Sequence, residues 1–184
     1  MKNNTLKITY AGVLIAISIL LPMVFHTMGG SSSGSVFLPM HIPVLLGGFI
    51  LGPIYGLVIG ILAPLINALT TGMPSMVRLP FMIIELGIYG LCTGLLYHKV
   101  GLKKKKYGVY VTLISAMILG RIVYAMMLYL LIDLLGVPLN NTVTILAASI
   151  TGIYGIIIQI VLIPLVLYLL KKGGLLDGLS KGSH

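Results

Sequence analysis

Charged side chains are scarce in this sequence. Only 8% of its 184 residues are Asp, Glu, Lys or Arg, and the acids are just three: Glu85, Asp133 and Asp177. A soluble domain carries about 25% charge, so an ordinary soluble fold is excluded. A free-standing nucleic-acid binder is excluded with it, despite a net charge of +9. Cysteine occurs once, as Cys92 within an apolar run, so no intrachain disulfide can form. Tryptophan is absent. The sequence has no His-Glu-x-x-His, no Walker phosphate loop and no pair of intramembrane aspartates. It therefore shows no catalytic set, and the chain cannot couple ATP hydrolysis by itself. Gly30-Ser31-Ser32-Ser33-Gly34 spells Gly-x-Ser-x-Gly. A nucleophile elbow needs a strand–turn–helix context, and this stretch is a loop between apolar runs.

What the sequence does contain is long apolar runs. It is 58% hydrophobic with a mean hydropathy of +1.13. One membrane span takes about 20 residues, so six would use about 120 and leave about 64 for tails and short connections. The expectation is an all-α membrane protein: a single six-helix domain over 1–172, then a polar tail over 173–184. Gly182-Ser183-His184 is excluded from the reading. The first run follows Lys2 and Lys7, as in a signal peptide. It continues as a full span with no small-residue cleavage site before Pro22, and is read as retained.

Span 1 covers about 8–28, followed by the loop Gly29–Ser35; spans 4, 5 and 6 cover about 79–98, 108–134 and 143–170. Residues 36–71 form one apolar stretch interrupted by Gly52-Pro53. Lysines decide whether it crosses once or twice. Lys2 and Lys7, Lys99 with Lys103–Lys106, and Lys171-Lys172 should all be cytoplasmic. An even number of crossings must then separate the N-terminus from the Lys103–Lys106 run. Two crossings, with Gly52-Pro53 as the inner turn, meet that demand. Six spans with both termini cytoplasmic follow. The first half of the hairpin, about 36–52, is short, so an irregular outer end is expected near Pro39 and Pro43. The outer connections, about 29–38, 70–79 and 134–143, lack lysine and are richer in Gly, Ser, Thr, Pro or Asn. A solute is expected to meet the protein there.

Small residues recur at helical spacing: Gly48, Gly52, Gly56 and Gly60, Gly90 with Gly94, Ala148 with Gly152, and Gly12 with Ala16. Such pairs let helix backbones approach closely in lipid. Internal packing is the reading for all but Gly12 and Ala16, where an exposed docking face and core packing are equally open.

Four charged side chains fall in or near the spans: Arg78, Glu85, Arg121 and Asp133. Arg78 and Asp133 are close enough to the outer surface to snorkel, as interfacial anchors. At about 1.5 Å per residue, Glu85 lies about 9 Å inside span 4 and Arg121 about 20 Å from either end of span 5. Two readings stand for this pair: a structural ion pair, or a polar solute pocket using one or both. Tyr89 shares a helix face with Glu85 and Tyr124 one with Arg121, while Gln159 is a further polar group in span 6. Tyrosines give flat apolar surface with a polar tip, suited to a ring- or amide-bearing solute. His41 and His26 could line the entrance. Neither has a cysteine or carboxylate at ligand spacing, so no metal or cofactor is expected.

Several stretches together resemble the substrate-binding S components of energy-coupling factor (ECF) vitamin transporters, across about 7–172. They are Phe37-Leu38-Pro39-Met40-His41-Ile42-Pro43-Val44-Leu45-Leu46-Gly47-Gly48-Phe49-Ile50-Leu51-Gly52-Pro53, Thr71-Gly72-Met73-Pro74, Glu85-Leu86-Gly87-Ile88-Tyr89-Gly90 and Gly120-Arg121-Ile122-Val123-Tyr124. The resemblance implies a multi-pass protein of a bacterial or archaeal cell membrane that captures a water-soluble vitamin or precursor from outside. A shared transmembrane coupling subunit and two ATPase subunits would then drive release, by toppling of the S component. In that family the first helix carries an Ala-x-x-x-Ala contact for the shared subunit; Gly12 and Ala16 match it with one conservative departure. Binding roles carry over to Glu85, Tyr89, Arg121, Tyr124 and Gln159, and more loosely to Arg78 and Asn140. The absence of Trp argues against a subtype that stacks its vitamin on Trp. A self-sufficient secondary carrier or channel is the other reading. Against it, no inverted repeat is visible and six spans are few for a monomeric carrier.

Overall fold

The structure, a computed structural model, describes residues 2–29, 38–130 and 152–174. The described residues form six helices: α1 (Lys2–Gly29), α2 (His41–Leu51), α3 (Pro53–Thr71), α4 (Leu79–Gly94), α5 (Gly108–Tyr129) and α6 (Ile153–Lys172). A π-helical turn, Leu95–Lys99, extends α4, and a short 3₁₀ turn, Leu102–Lys104, precedes α5. All of these but α2 are long and apolar enough to cross a membrane, α4 with its π-helical extension; α2 is a shorter apolar helix. Five helices thus qualify as membrane spans by length and composition, with α2 as a shorter sixth; the expected stretches 131–134 and 143–151 lie outside the described residues. Of the connections expected at about 29–38 and 134–143, residues 30–37 and 134–143 lie outside the described residues, as do Asp133, Asn140 and Ala148.

The division of 36–71 falls at Gly52, as the sequence suggests. Gly52 has φ +96°, a backbone conformation that favours glycine, and Pro53 starts α3 where its missing N–H costs nothing. The irregular start of α2 is also present: Leu38 has φ +48° and a turn over Pro39 and Met40 precedes the helix. Pro43, by contrast, lies within the first turn of α2.

Helix α2 is central. Every residue from His41 to Phe49 is buried, the pattern of a helix enclosed on all sides. It packs on α1, α3, α4 and α6, while α4 packs on α3 and α5. The long helices expose apolar residues outward, among them Ile8, Leu20, Ile118, Ile122, Val161 and Leu165, as lipid-facing surfaces do.

The α2–α3–α4 contact is made by backbone. A Cβ on Gly56 would strike the Gly90 carbonyl, and one on Gly90 the Gly56 carbonyl. A Cβ on Gly60 would meet the Leu86 carbonyl, one on Gly94 the backbone of Pro53, and one on Gly48 the Thr93 hydroxyl. The small-residue spacing is thus used for packing at these five positions. Gly12 and Ala16 differ: both are exposed on α1, and a Cβ at Gly12 would meet nothing within 4 Å.

Two polar clamps complete the bundle. Asn67 Nδ2 on α3 donates to the Ser18 carbonyl on α1 at 3.0 Å and to Ala63 at 3.0 Å. His98 Nε2 lies 2.8 Å from the Phe49 carbonyl near the end of α2. Lys103 and Lys7 both lie near enough to His98 to act on it electrostatically. The start of α1 and the Lys103–Lys106 run therefore share one end of the bundle, called the lysine end below.

These contacts predict opposite outcomes for two glycines. Gly90→Leu should lower stability by at least about 1–3 kcal/mol through overpacking, whereas Gly12→Leu should melt like the parent. Melting curves by circular dichroism in detergent check both.

Candidate functional site

The half of the bundle away from the lysine end holds a buried ionic cluster. Glu85 is 4% exposed on α4, about 9 Å from that helix's far end at 1.5 Å per residue. Arg121 on α5 reaches it from the neighbouring helix, with Nη1 3.3 Å from Oε1. One turn along α4 from Glu85, the Tyr89 hydroxyl donates to the same oxygen at 2.9 Å. Both contacts fall on Oε1.

The sequence Gly120-Arg121 makes this meeting possible. A Cβ at Gly120 would run into the Tyr89 ring. The missing side chain seats the ring against α5, and the next residue supplies the guanidinium. Thr93 holds the following turn of α4, its hydroxyl bonded to the Tyr89 and Gly90 carbonyls at 2.8 and 3.0 Å. The ion pair of the structural reading is therefore present.

The other expected residues lie in different places. His41 joins the cluster: its ring lies 5.5 Å from that of Tyr89, tilted by 55°. The sequence placed His41 at the entrance. The structure buries it at the start of α2, against Tyr89. Both His41 ring nitrogens are buried and without a hydrogen-bond partner among the described residues. Gln159 is 1% exposed on the buried stripe of α6, and its Nε2 likewise has no partner among them.

Tyr124 is buried beside Phe81, with centroids 5.7 Å apart, and joins Phe81 and Leu128 in a small second core. Arg78 immediately precedes α4, half-buried, its N–H bonded to the Ser75 carbonyl at 2.8 Å. Asn140 and the His26 side chain lie outside the described residues. Gly12 and Ala16 stand apart on α1. Among the described residues no three His, Cys, Asp or Glu side chains gather as a metal site requires.

Sequence reasoning missed the seat at Gly120, the clamp from Asn67 to Ser18, and the burial of Thr112. Asn67 carried a signal, being an amide in the middle of an apolar run. Gly120 did not, because nothing local pairs it with a residue 31 positions earlier.

A family model described as ECF transporter, substrate-specific component matches residues 6–167. No curated protein and no solved structure matches the chain.

The cluster's geometry yields a stability prediction. Arg121→Gln leaves Glu85 buried without its cation and should cost about 3–5 kcal/mol. Glu85→Gln/Arg121→Gln together should recover most of that loss, since an amide can still accept from Tyr89. Thermal melts of the single and double variants measure the coupling.

Proposed function

The chain belongs to the ECF transporter substrate-specific components, a family of membrane transport subunits rather than enzymes, and from this we propose that it captures a water-soluble vitamin or vitamin precursor from outside the cell. In this reading it works with a shared transmembrane coupling subunit and two ATPase subunits, which supply the energy for uptake. It crosses the membrane six times, with the lysine end and both termini in the cytoplasm. The location is a bacterial or archaeal plasma membrane.

One observation carries the placement of the site. Glu85, Arg121 and Tyr89 form a buried polar cluster in the half of the bundle away from the lysines. Ionisable residues at this depth in a membrane protein face a cavity or each other. Here they meet each other and also adjoin His41, whose nitrogens are unpartnered among the described residues. The solute would be held by Glu85, Tyr89, Arg121, Tyr124, His41 and Gln159. Arg78 would lie at the mouth, and Asn140, outside the described residues, is a further candidate.

Docking would use α1. Gly12 and Ala16 are small, exposed and four residues apart, so a partner helix can approach the backbone there. The exposed ring of Tyr107 beside the lysine run, and those of Tyr129 and Tyr154 at the other end, suit the two membrane interfaces in a chain without Trp.

Three measurements test this reading. Native mass spectrometry of wild-type protein should find a carried small molecule, and the folded Glu85→Gln/Arg121→Gln variant should lose it; retention by that variant would remove the cluster from the site. Ala16→Trp should keep the solute but fail to co-purify with the coupling subunit and ATPases; normal assembly would place docking elsewhere. In a Cys92→Ser background, impermeant maleimide should reach Ser75→Cys but not Lys104→Cys from outside, and the reverse would invert the topology.

A further inference from the structure

The buried polar groups of this site are not all spent on one another. Glu85 and Arg121 face each other across 3.3 Å, and the Tyr89 hydroxyl is committed to Glu85. Two side chains remain. His41 is 3% exposed and Gln159 1% exposed, and neither the two ring nitrogens nor the amide nitrogen has a hydrogen-bond partner among the described residues. Buried polar atoms left in this state are uncommon in folded proteins and call for an explanation. Helix α6 packs on both α2 and α5, and His41 and Gln159 lie on the buried faces of α2 and α6. Thr112, the other unpartnered group among the described residues, sits one turn into α5 beside the lysine run and belongs to another region.

The backbone leads to the same place. Tyr89 is ten residues into α4, about 15 Å from its far end at 1.5 Å per residue, and His41 lies against it. The non-helical turn Leu38–Met40, with Leu38 at φ +48°, is therefore within the thickness of the bundle. Non-helical backbone at membrane depth is tolerated where it is buried in protein or lines a cavity. Here it ends at a histidine whose ring nitrogens have no partner among the described residues.

We propose that the part of the solute reaching deepest is uncharged and carries a donor beside an acceptor, as a carboxamide or the C(=O)–N–H edge of a lactam or pyrimidine ring does, and that His41 and Gln159 hold it. The inference rests on the solute-binding reading above. The chemistry follows from what is unmet. A neutral imidazole offers one N–H donor and one acceptor nitrogen, and a glutamine Nε2 offers only donors. A solute carbonyl accepts from Gln159, and a solute N–H donates to the open His41 nitrogen. A charged group is disfavoured at this depth, because Arg121 already faces Glu85 and a further charge would be buried without its own counter-ion. The Tyr89 ring beside His41 supplies a flat wall for a planar group.

Equilibrium dialysis of the full-length protein with radiolabelled nicotinamide and uracil, and with their anionic counterparts nicotinate and orotate, tests the proposal. At least one neutral probe should bind tenfold or more tightly than its anion, and Gln159→Leu and His41→Phe should each weaken it at least tenfold. Both variants should melt no lower than wild type, since each removes an unpaired buried polar group; His41→Asn substitutes should His41→Phe not fold. Preference for the anions, binding of neither neutral probe, or wild-type affinity in Gln159→Leu and the folded His41 variant overturns the inference. Its failure is separable from that of the site itself. If Glu85→Gln/Arg121→Gln loses the carried solute while the His41 and Gln159 variants keep it, the site stands and the amide assignment falls. If the double variant keeps the solute, the site reading falls first.

Discussion

Everything in this bundle is referred to one contact, the meeting of the Gly56 and Gly90 backbones. Neither residue has a side chain to hold the helices apart, and a Cβ on either would strike the other's carbonyl. In lipid no hydrophobic effect drives helices together, so close van der Waals contact between backbones is a main source of association. Gly48 brings α2 into the same seam, against Thr93 and the Gly90 carbonyl. Three helices are thereby packed at backbone distance, and the buried α2 becomes the axis around which α1 and α6 are arranged.

The seam also determines where the polar cluster can form. With Gly90 directed at α3, the neighbouring face of α4 directs Tyr89 and Glu85 toward α5. There Gly120 leaves room for the ring and Arg121 supplies the counter-charge. Both halves of the site thus depend on glycines, one to bring α3 and α4 together and one to admit an aromatic ring. The half of the bundle at the lysine end is closed by backbone contacts and by the His98 bond to α2. In the other half His41 has unmet hydrogen-bonding capacity among the described residues, as do Gln159 on α6 and Thr112 beside the lysine run.

Much of this was legible in the sequence because it depends on period and composition. Gly52-Pro53 announces a turn through backbone chemistry alone, and the lysine distribution required that turn to separate two helices. The pairing of Glu85 with Arg121 was one of two open readings, because two costly buried charges of opposite sign have few other partners. The depth of His41 was not legible. Pro39 and Pro43 announce an irregular start to α2, but which ring its first residue meets is decided by tertiary structure. The seat at Gly120 was hidden for a different reason. A single glycine in a helix reads as a packing residue, and which ring it admits is decided by tertiary structure.

The first helix shows how the same forces can leave a face open. Ala11, Leu14, Ser18 and Pro22 are buried, on the stripe that α1 turns toward α2 and α3. Asn67 then fixes the rotation of α1 by donating to the Ser18 carbonyl from the buried side. Because this bond is made to backbone, it holds the helix without requiring a particular side chain at position 18. Gly12 and Ala16 are consequently directed to the far side, where exposed Val13, Ile17 and Leu20 surround them with apolar surface. Small residues inside the bundle are already occupied by backbone neighbours, whereas Gly12 and Ala16 are exposed and a Cβ on Gly12 would meet nothing within 4 Å among the described residues. A helix from another subunit could approach α1 there as closely as α4 approaches α3, through the same absence of side chains.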